Sequence, residues 1–245
     1  MSAATITVVN NNDSGAGSLR DALATAVNGD LIDFSVTGVI TISSPLNISK
    51  NITIAGPGAD QLAIDGDSIS VIFSDGSSLM NSVTIADLEI RNAYSTASGA
   101  AISALGINLV IKRCYIHSNI VKGSGNSGAG IYASNASSVQ IDASTISGNS
   151  AVIGAGISML EGGKLYINNS TFYAYNGSNG QAIYVVGTDI ELMNVSIAGH
   201  HSGNTVIDIS DYMVLLVLSD AAAFKSTNSL FDNRTSNYLY TVGLF

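Results

Sequence analysis

Asp65 and Asp67, in the run AIDGDS, are the two side chains of this sequence best spaced for chemistry. Two residues apart on an extended segment, they point to the same side, where paired carboxylates can meet a hard cation such as Ca²⁺. Gly66 between them also suits a solvated turn. Tyr173 and Tyr175 flank a second turn, and tyrosines so placed can stack on a sugar ring. These four are the ligand-binding candidates; no catalytic residue, no metal ligand set and no cofactor beyond Ca²⁺ at the aspartate pair is expected. His117, His200 and His201 are the only histidines. His200 and His201 are adjacent, so on an extended segment they face opposite ways, which argues against a metal pair. Cys114 is the single cysteine. It excludes an internal disulfide framework and Cys-rich zinc sites.

What positions these residues is a repeat. GAAI (Gly99 to Ile102), GAGI (Gly128 to Ile131), GAGI (Gly154 to Ile157) and GQAI (Gly180 to Ile183) open successive units, with isoleucines 29, 26 and 26 residues apart. A period of that size means stacked coils that bury apolar faces only against their neighbours. Each unit carries an alternating strand pattern: Leu109, Ile111, Cys114, Ile116; Val139, Ile141, Ser144, Ile146; Leu165, Ile167, Ser170, Phe172; Ile190, Leu192, Val195, Ile197. An earlier copy is Val83, Ile85, Leu88, Ile90. The period of two marks strands, and the two-residue gap in the middle is a corner. Leu88, Cys114, Ser144, Ser170 and Val195 then form one inward ladder, which makes Cys114 a small, inert core residue. The same alignment sets Asp87 opposite Arg113 and Lys112 opposite Asp142, structural pairs rather than catalytic ones. Asn119 and Asn149 share a corner register with His200 and read as a turn ladder. The Asn-x-Ser/Thr triplets, such as Asn51–Thr53 and Asn194–Ser196, are expected by chance in so polar a chain.

The chain has 245 residues, 46% hydrophobic and 11% charged, with 25 Gly. That suffices for one domain with a sizeable core, built of strands and turns. The net charge of −9 excludes a nucleic-acid partner, which needs a basic footprint. The longest apolar run, Met213 to Leu218, is far short of the ~20 residues of a membrane span. The start, MSAATITVV, lacks a basic segment and a long apolar segment, so it does not read as a signal peptide. Either the sequence begins after one, or the protein leaves its cell by another route such as lysis.

Three regions follow. Residues 1–45 form an N-terminal cap, a strand from Thr5 to Val9 and a helix over 18–28. Leu19, Ala22, Leu23, Ala26 and Val27 make its apolar face, Ser18 its N-cap with Asp21 in capping-box position, and Gly29 its stop. Such a helix covers the open end of the core. Residues 46–204 form the coils, most regular from Asn81, with KGSGNSGAG (122–130) as the longest, mobile loop. Residues 205–245 form a closing or oligomerisation segment. Its apolar residues, among them Met213, Leu215, Leu239, Val242 and Phe245, pack over the last coil or against another copy of the chain.

The segment NNNDSGAGSLRDALATAVNGDLIDF resembles the N-terminal module of secreted bacterial β-helix proteins, common in cyanobacteria. The GAGI repeats, with Ile116–Asn119 and Ile146–Asn149 one turn later, resemble the GGAI and FxxN repeats of chlamydial-type polymorphic outer-membrane proteins. Both belong to the pectate-lyase-like superfamily. The resemblance spans about residues 5–204 and implies an all-β, right-handed, single-stranded parallel β-helix with a short N-terminal capping helix. Members include polysaccharide lyases, glycoside hydrolases, adhesins, and phage tailspike and capsid-decorating proteins, so the fold leaves activity open. Its uronate lyases use aspartates that hold Ca²⁺ together with a basic residue. This sequence departs from the adhesin motif, with Ala100, Ala129, Ala155 and Gln181 at the second Gly and Ile at the Phe. No membrane barrel follows the repeats.

With no catalytic set legible, the expected function is a non-catalytic attachment or structural protein on an outer surface. It would decorate a virion, contact a receptor or act as a bacterial adhesin, and it would self-associate, as a trimer by family analogy. Its expected location is extracellular, on a virion or bacterial surface, with virion or cell-surface proteins or polysaccharide as partners. The alternative is a lyase or glycoside hydrolase acting on an extracellular polysaccharide. Ice binding would need a long flat Thr array, and Thr145, Thr171 and Ser196 make only a short column.

Overall fold

In the computed structural model the chain winds into a parallel β-solenoid; after the first strand each coil gives one strand to each of three long sheets, and Tyr94–Ser95 pairs with Ile120–Val121 in a further two-stranded sheet. The structure describes residues 3–68, 71–74, 81–135, 137–161, 163–173, 176, 182–186, 188–198 and 207–210. The first sheet has eight strands: Thr5–Val8, Leu31–Phe34, Ile52–Ala55, Ser82–Ala86, Asn108–Lys112, Ser138–Asp142, Lys164–Asn168 and Asp189–Met193. The second has seven: Gly38–Thr41, Leu62–Asp65, Glu89–Arg91, Tyr115–His117, Thr145–Ser147, Thr171–Tyr173 and Ser196–Ala198. The third runs Leu46–Asn47, Phe73–Ser74, Ile102–Leu105, Ile131–Ser134, Ile157–Met159, Ile183–Val186 and Ile207–Ser210. Stacking thus begins at Thr5, inside the region read as cap.

The apolar alternation sets the register. Leu109 pairs with Val139, Val139 with Leu165 and Leu165 with Ile190. Ile116, Ile146, Phe172 and Ile197 form the matching line of the second sheet, and Ile102, Ile131, Ile157 and Ile183 that of the third. All twelve are at most 2% exposed. Slipping one residue would turn such a line out to solvent, at about 1.5–3 kcal/mol per side chain.

Corners are made by residues in the left-handed region. Between the first and second sheets stand Asp87, Arg113, Ala143, Asn169 and Asn194, with φ from +48° to +57°. Asn92, Ser118 and Gly148 turn the chain after the second sheet, and Gly106, Asn135 and Glu161 after the third. The glycine opening each GAxI motif has a steric reason. Gly99, Gly128 and Gly154 have φ of +81°, +69° and +50°. A Cβ on Gly128 or Gly154 would lie 2.5 Å from the carbonyl oxygen of Ile131 or Ile157. No side chain fits there.

The small inward residues do more than fill space. Ser144 Oγ accepts from the Cys114 backbone N–H at 3.1 Å and donates to Asp142 O at 2.8 Å. Ser170 repeats this one coil on, accepting from Ser144 N and donating to Asn168 O. Cys114 Sγ lies 3.3 Å from Lys112 O, in the place of the serine hydroxyl. Burial, acting first, pushes its thiol up to about 11. The Asn119–Asn149 ladder forms as expected: Asn149 Oδ1 accepts from both Asn119 N and Asn119 Nδ2 at 3.0 Å, and Asn119 Oδ1 accepts from Ala93 N. His200, expected to extend it, lies outside the described residues, as does His201.

The cap helix, α1, covers Leu19–Thr25 and is shorter than the expected 18–28. Ser18 caps it as read, accepting from Asp21 N, while Asp21 reaches back to Gly17 N–H. It stops early because other groups take its last polar atoms. Lys50 Nζ donates to Leu23 O and Ala24 O, and the Asp30 carboxylate accepts from Val27 N–H and Ala4 N–H. Arg20 ties the helix to the next coil through Asp13, Ser44 O and Pro45 O. The 122–130 loop is fastened by Asn126 Nδ2, which donates to Thr96 O and Lys122 O. No helix among the described residues is long and apolar enough to cross a membrane.

Of these five corner residues between the first two sheets, Ala143 alone has no polar side chain to favour its left-handed backbone. Ala143→Asn should raise unfolding stability by about 1 kcal/mol, and Ala143→Val should lower it; denaturant titration reads both. Cys114 should resist alkylation at mildly alkaline pH in the folded protein and react once the chain is unfolded, as mass spectrometry of the adduct would show.

Candidate functional site

The second sheet carries an outward face of polar and aromatic side chains. Ile90, Ile116, Ile146 and Phe172 point inward, so the residues flanking each must point out. Register therefore stacks Ala63, Glu89, Tyr115, Thr145, Thr171 and Ser196 in one outward column. Asp65, Arg91, His117, Ser147 and Tyr173 form the other. Neighbouring strands are ~4.8 Å apart, so these side chains are in reach of one another.

They form one connected strip. Arg91 Nε donates to Asp65 Oδ2 and Arg91 Nη1 to Glu89 Oε1, both at 2.9 Å. His117 Nε2 lies 2.7 Å from the same Glu89 oxygen, and its Nδ1 lies 2.9 Å from Ser118 Oγ. The His117 ring stacks on Tyr115, centroids 4.1 Å apart and planes at 25°. Tyr115 Oη accepts from Ser147 Oγ and lies 3.4 Å from Tyr173 Oη. Tyr173 is 38% exposed and ends the strip. The bond with Tyr115, with help from Ser147, lowers its phenol below the ordinary value.

Asp65 is not the free half of a pair. Burial opposes its charge, yet bonds from Arg91, the Asp67 N–H and Asn92 Nδ2 outweigh that and hold its carboxyl below the usual range. Asp67 follows the strand end with φ +49°, and its side chain is exposed. A carboxylate whose oxygens already take a guanidinium, an amide and a backbone N–H is a poor ligand for a hard cation. Asp65 and Asp67 as folded therefore do not fit Ca²⁺, and no group of three or more His, Cys, Asp or Glu among the described residues could hold a metal.

Tyr173 lies on the strip, whereas Tyr175, Met213, Leu215, Leu239, Val242 and Phe245 lie outside the described residues. Arg113 meets Asp87 through two 2.6 Å contacts, the pairing expected from the register. Lys112 does stand opposite Asp142, whose Oδ1 accepts from Asn168 Nδ2 at 3.1 Å. Glu89, Arg91, Tyr115 and Ser147 went unmarked as site residues in the sequence. The signal was there: aligning Ile90, Ile116, Ile146 and Phe172 puts their flanking residues on one face. On the first sheet a shallow depression of about 270 Å³ is lined by Gln140, Tyr166, Ile167, Asn168, Glu191 and Met193.

No family model matches the chain. A probable pectate lyase C of Aspergillus fumigatus is 28% identical over 253 residues, 95% of this chain and 55% of that protein. A probable pectate lyase C of Aspergillus flavus is 39% identical over 102 residues, 41% of this chain and 22% of that protein. The chain spans about half the length of the curated relatives it matches. Among solved structures, ORF18 of Geobacillus virus E2 aligns with a TM-score of 0.35 and 13% identity over 86% of this chain and 62% of that one, too loosely to bear on function. The coil stack and these relatives together fit a pectate-lyase-like β-helix.

Because Asp65 has a depressed pKa, its contribution to stability is full above the unfolded value of about 3.9 and is lost as pH falls through the lower folded value. Asp13 and Asp30 are shifted the same way, Asp13 by Ser43 and Arg20 against its burial, Asp30 by the Val27 and Ala4 N–H groups. Asp65→Asn should thus melt below the wild type at neutral pH, and the gap should close below about pH 4 in thermal scans.

Proposed function

We propose that this chain is the β-helical part of an extracellular protein that degrades a polysaccharide, as a lyase or glycoside hydrolase, with the second-sheet strip as its sugar-contacting face. The observation that carries this reading is the 28% identity to probable pectate lyases along 95% of the chain. The strip adds chemical support. Tyr115, His117 and Tyr173 offer ring faces and hydroxyls, while Glu89, Arg91, Asp65 and Asn92 offer a dense set of hydrogen-bonding groups. Stacking with hydrogen bonds at the rim is how proteins hold pyranose rings.

A second reading is the attachment role, on a virion or a bacterial surface, without chemistry. One observation favours it: the strip's arginine is matched by two carboxylates, and Glu89 by Arg91 and His117. Paired charges of this kind stabilise a sheet face without any reaction.

The two readings separate in one assay. The protein is incubated with a panel of acidic and neutral polysaccharides, with and without Ca²⁺. Unsaturated products are read by ultraviolet absorbance and new reducing ends by a colour reaction. Degradation is expected, and Tyr115→Ala should cut it at least tenfold, about 1.4 kcal/mol of binding or barrier. Retardation of the protein in polysaccharide-containing gels with no product would favour attachment instead.

A further inference from the structure

We propose that the strip takes a neutral, hydroxyl-rich polysaccharide and rejects polyuronates; this rests on the polysaccharide reading above. Among the described residues its only arginine is Arg91, and no lysine lies on it. The guanidinium is already shared: Nε goes to Asp65 and Nη1 to Glu89. Asp67 adds a third carboxylate at the strip's edge. Before any ligand arrives, carboxylates outnumber the arginine three to one, and His117 spends Nε2 on Glu89.

A polyuronate brings one carboxylate per sugar. Laid along these strands it would set those charges against Asp65, Asp67 and Glu89 with no spare cation between. Like charges set against one another disfavour binding unless something bridges them. A divalent cation could bridge, but Asp65 would have to give up bonds from Arg91, Asn92 or the Asp67 N–H to hold it. The chain's net charge of −9 adds a long-range term of the same sign. A neutral sugar meets none of this. Its hydroxyls can donate to Glu89 and Asp67 and exchange hydrogen bonds with Tyr115 and Tyr173, and its apolar face can lie on the tyrosine rings. The depression on the first sheet has the same character, with Glu191, two amides and Tyr166 but no cation in its lining.

A neutral substrate also selects the reaction. β-Elimination needs a carboxylate beside the carbon that loses its proton, and neutral sugars have none. Cleavage would then be hydrolysis, in which one water adds across the glycosidic bond. One fragment gains a hydroxyl, the other a new reducing end, and neither carries a double bond.

The test uses the full chain in native gels containing galactan, arabinan, glucomannan or polygalacturonate. Runs are at neutral pH and low salt, with and without Ca²⁺, and reducing ends and unsaturated products are assayed in parallel. At least one neutral polysaccharide should retard the protein, and polygalacturonate should not. The double variant Asp65→Asn with Glu89→Gln frees Arg91, and it should gain affinity for polygalacturonate by about tenfold at low salt, lost on adding salt. Retardation of the wild type by polygalacturonate, or unsaturated product from it, overturns this inference and leaves the polysaccharide reading standing. A double variant that melts cooperatively yet still ignores polygalacturonate overturns it too. Silence on every polysaccharide, in binding and in product, overturns both.

Discussion

The constraint on which everything else depends is that each coil must leave the chain in register with the coil below. Parallel pairing supplies the hydrogen bonds, but it works only if each strand ends at the same place and turns by the same amount. The left-handed corners do this. Asp87, Arg113, Ala143, Asn169 and Asn194 sit at equivalent points with nearly equal φ. A left-handed backbone is disfavoured for most L-residues, so its repetition shows how strongly the stack dictates local conformation. The neighbouring inward positions reinforce it. Ser144 and Ser170 each bridge a backbone N–H of the preceding coil and a carbonyl of their own, whereas Asn119 and Asn149 each accept a backbone N–H from the preceding coil and donate to one of its carbonyls.

That same register builds the candidate site. Its side chains are supplied by consecutive coils at fixed offsets from buried apolar residues. Rigidity therefore comes without extra investment, since a face built on stacked strands is held by the core behind it. Glu89 shows the consequence: it is fixed between Arg91 on its own strand and His117 on the next, and His117 in turn packs on Tyr115. The single arginine is spent within the strip, leaving rings, hydroxyls and an excess of carboxylate as its outward offering.

The relatives move the functional reading away from attachment and toward polysaccharide cleavage, while the paired charges explain why no catalytic set stands out in the sequence. A catalytic carboxylate or arginine in a linear reading looks no different from one half of a cross-coil ion pair. Only the partner on the next coil tells them apart. Arg113 proved a structural residue because Asp87 lies below it, as register alone suggested.

The apolar period of two within a repeat of about 26 residues was enough to determine stacked coils, the inward ladder through Cys114 and the cap at Ser18, because burial on a pleated strand admits only one alternation. Tertiary structure decided the rest. It shortened α1, because Lys50 and Asp30, both beyond its last turn, claim its final polar groups. It withdrew Asp65 from Asp67 and gave it to Arg91, 26 residues away. It also gathered Glu89, His117, Tyr115 and Tyr173 onto one face. Burial leaves its mark on every strand and can be read locally, whereas the partner of an outward polar group depends on which residue the next coil brings beneath it.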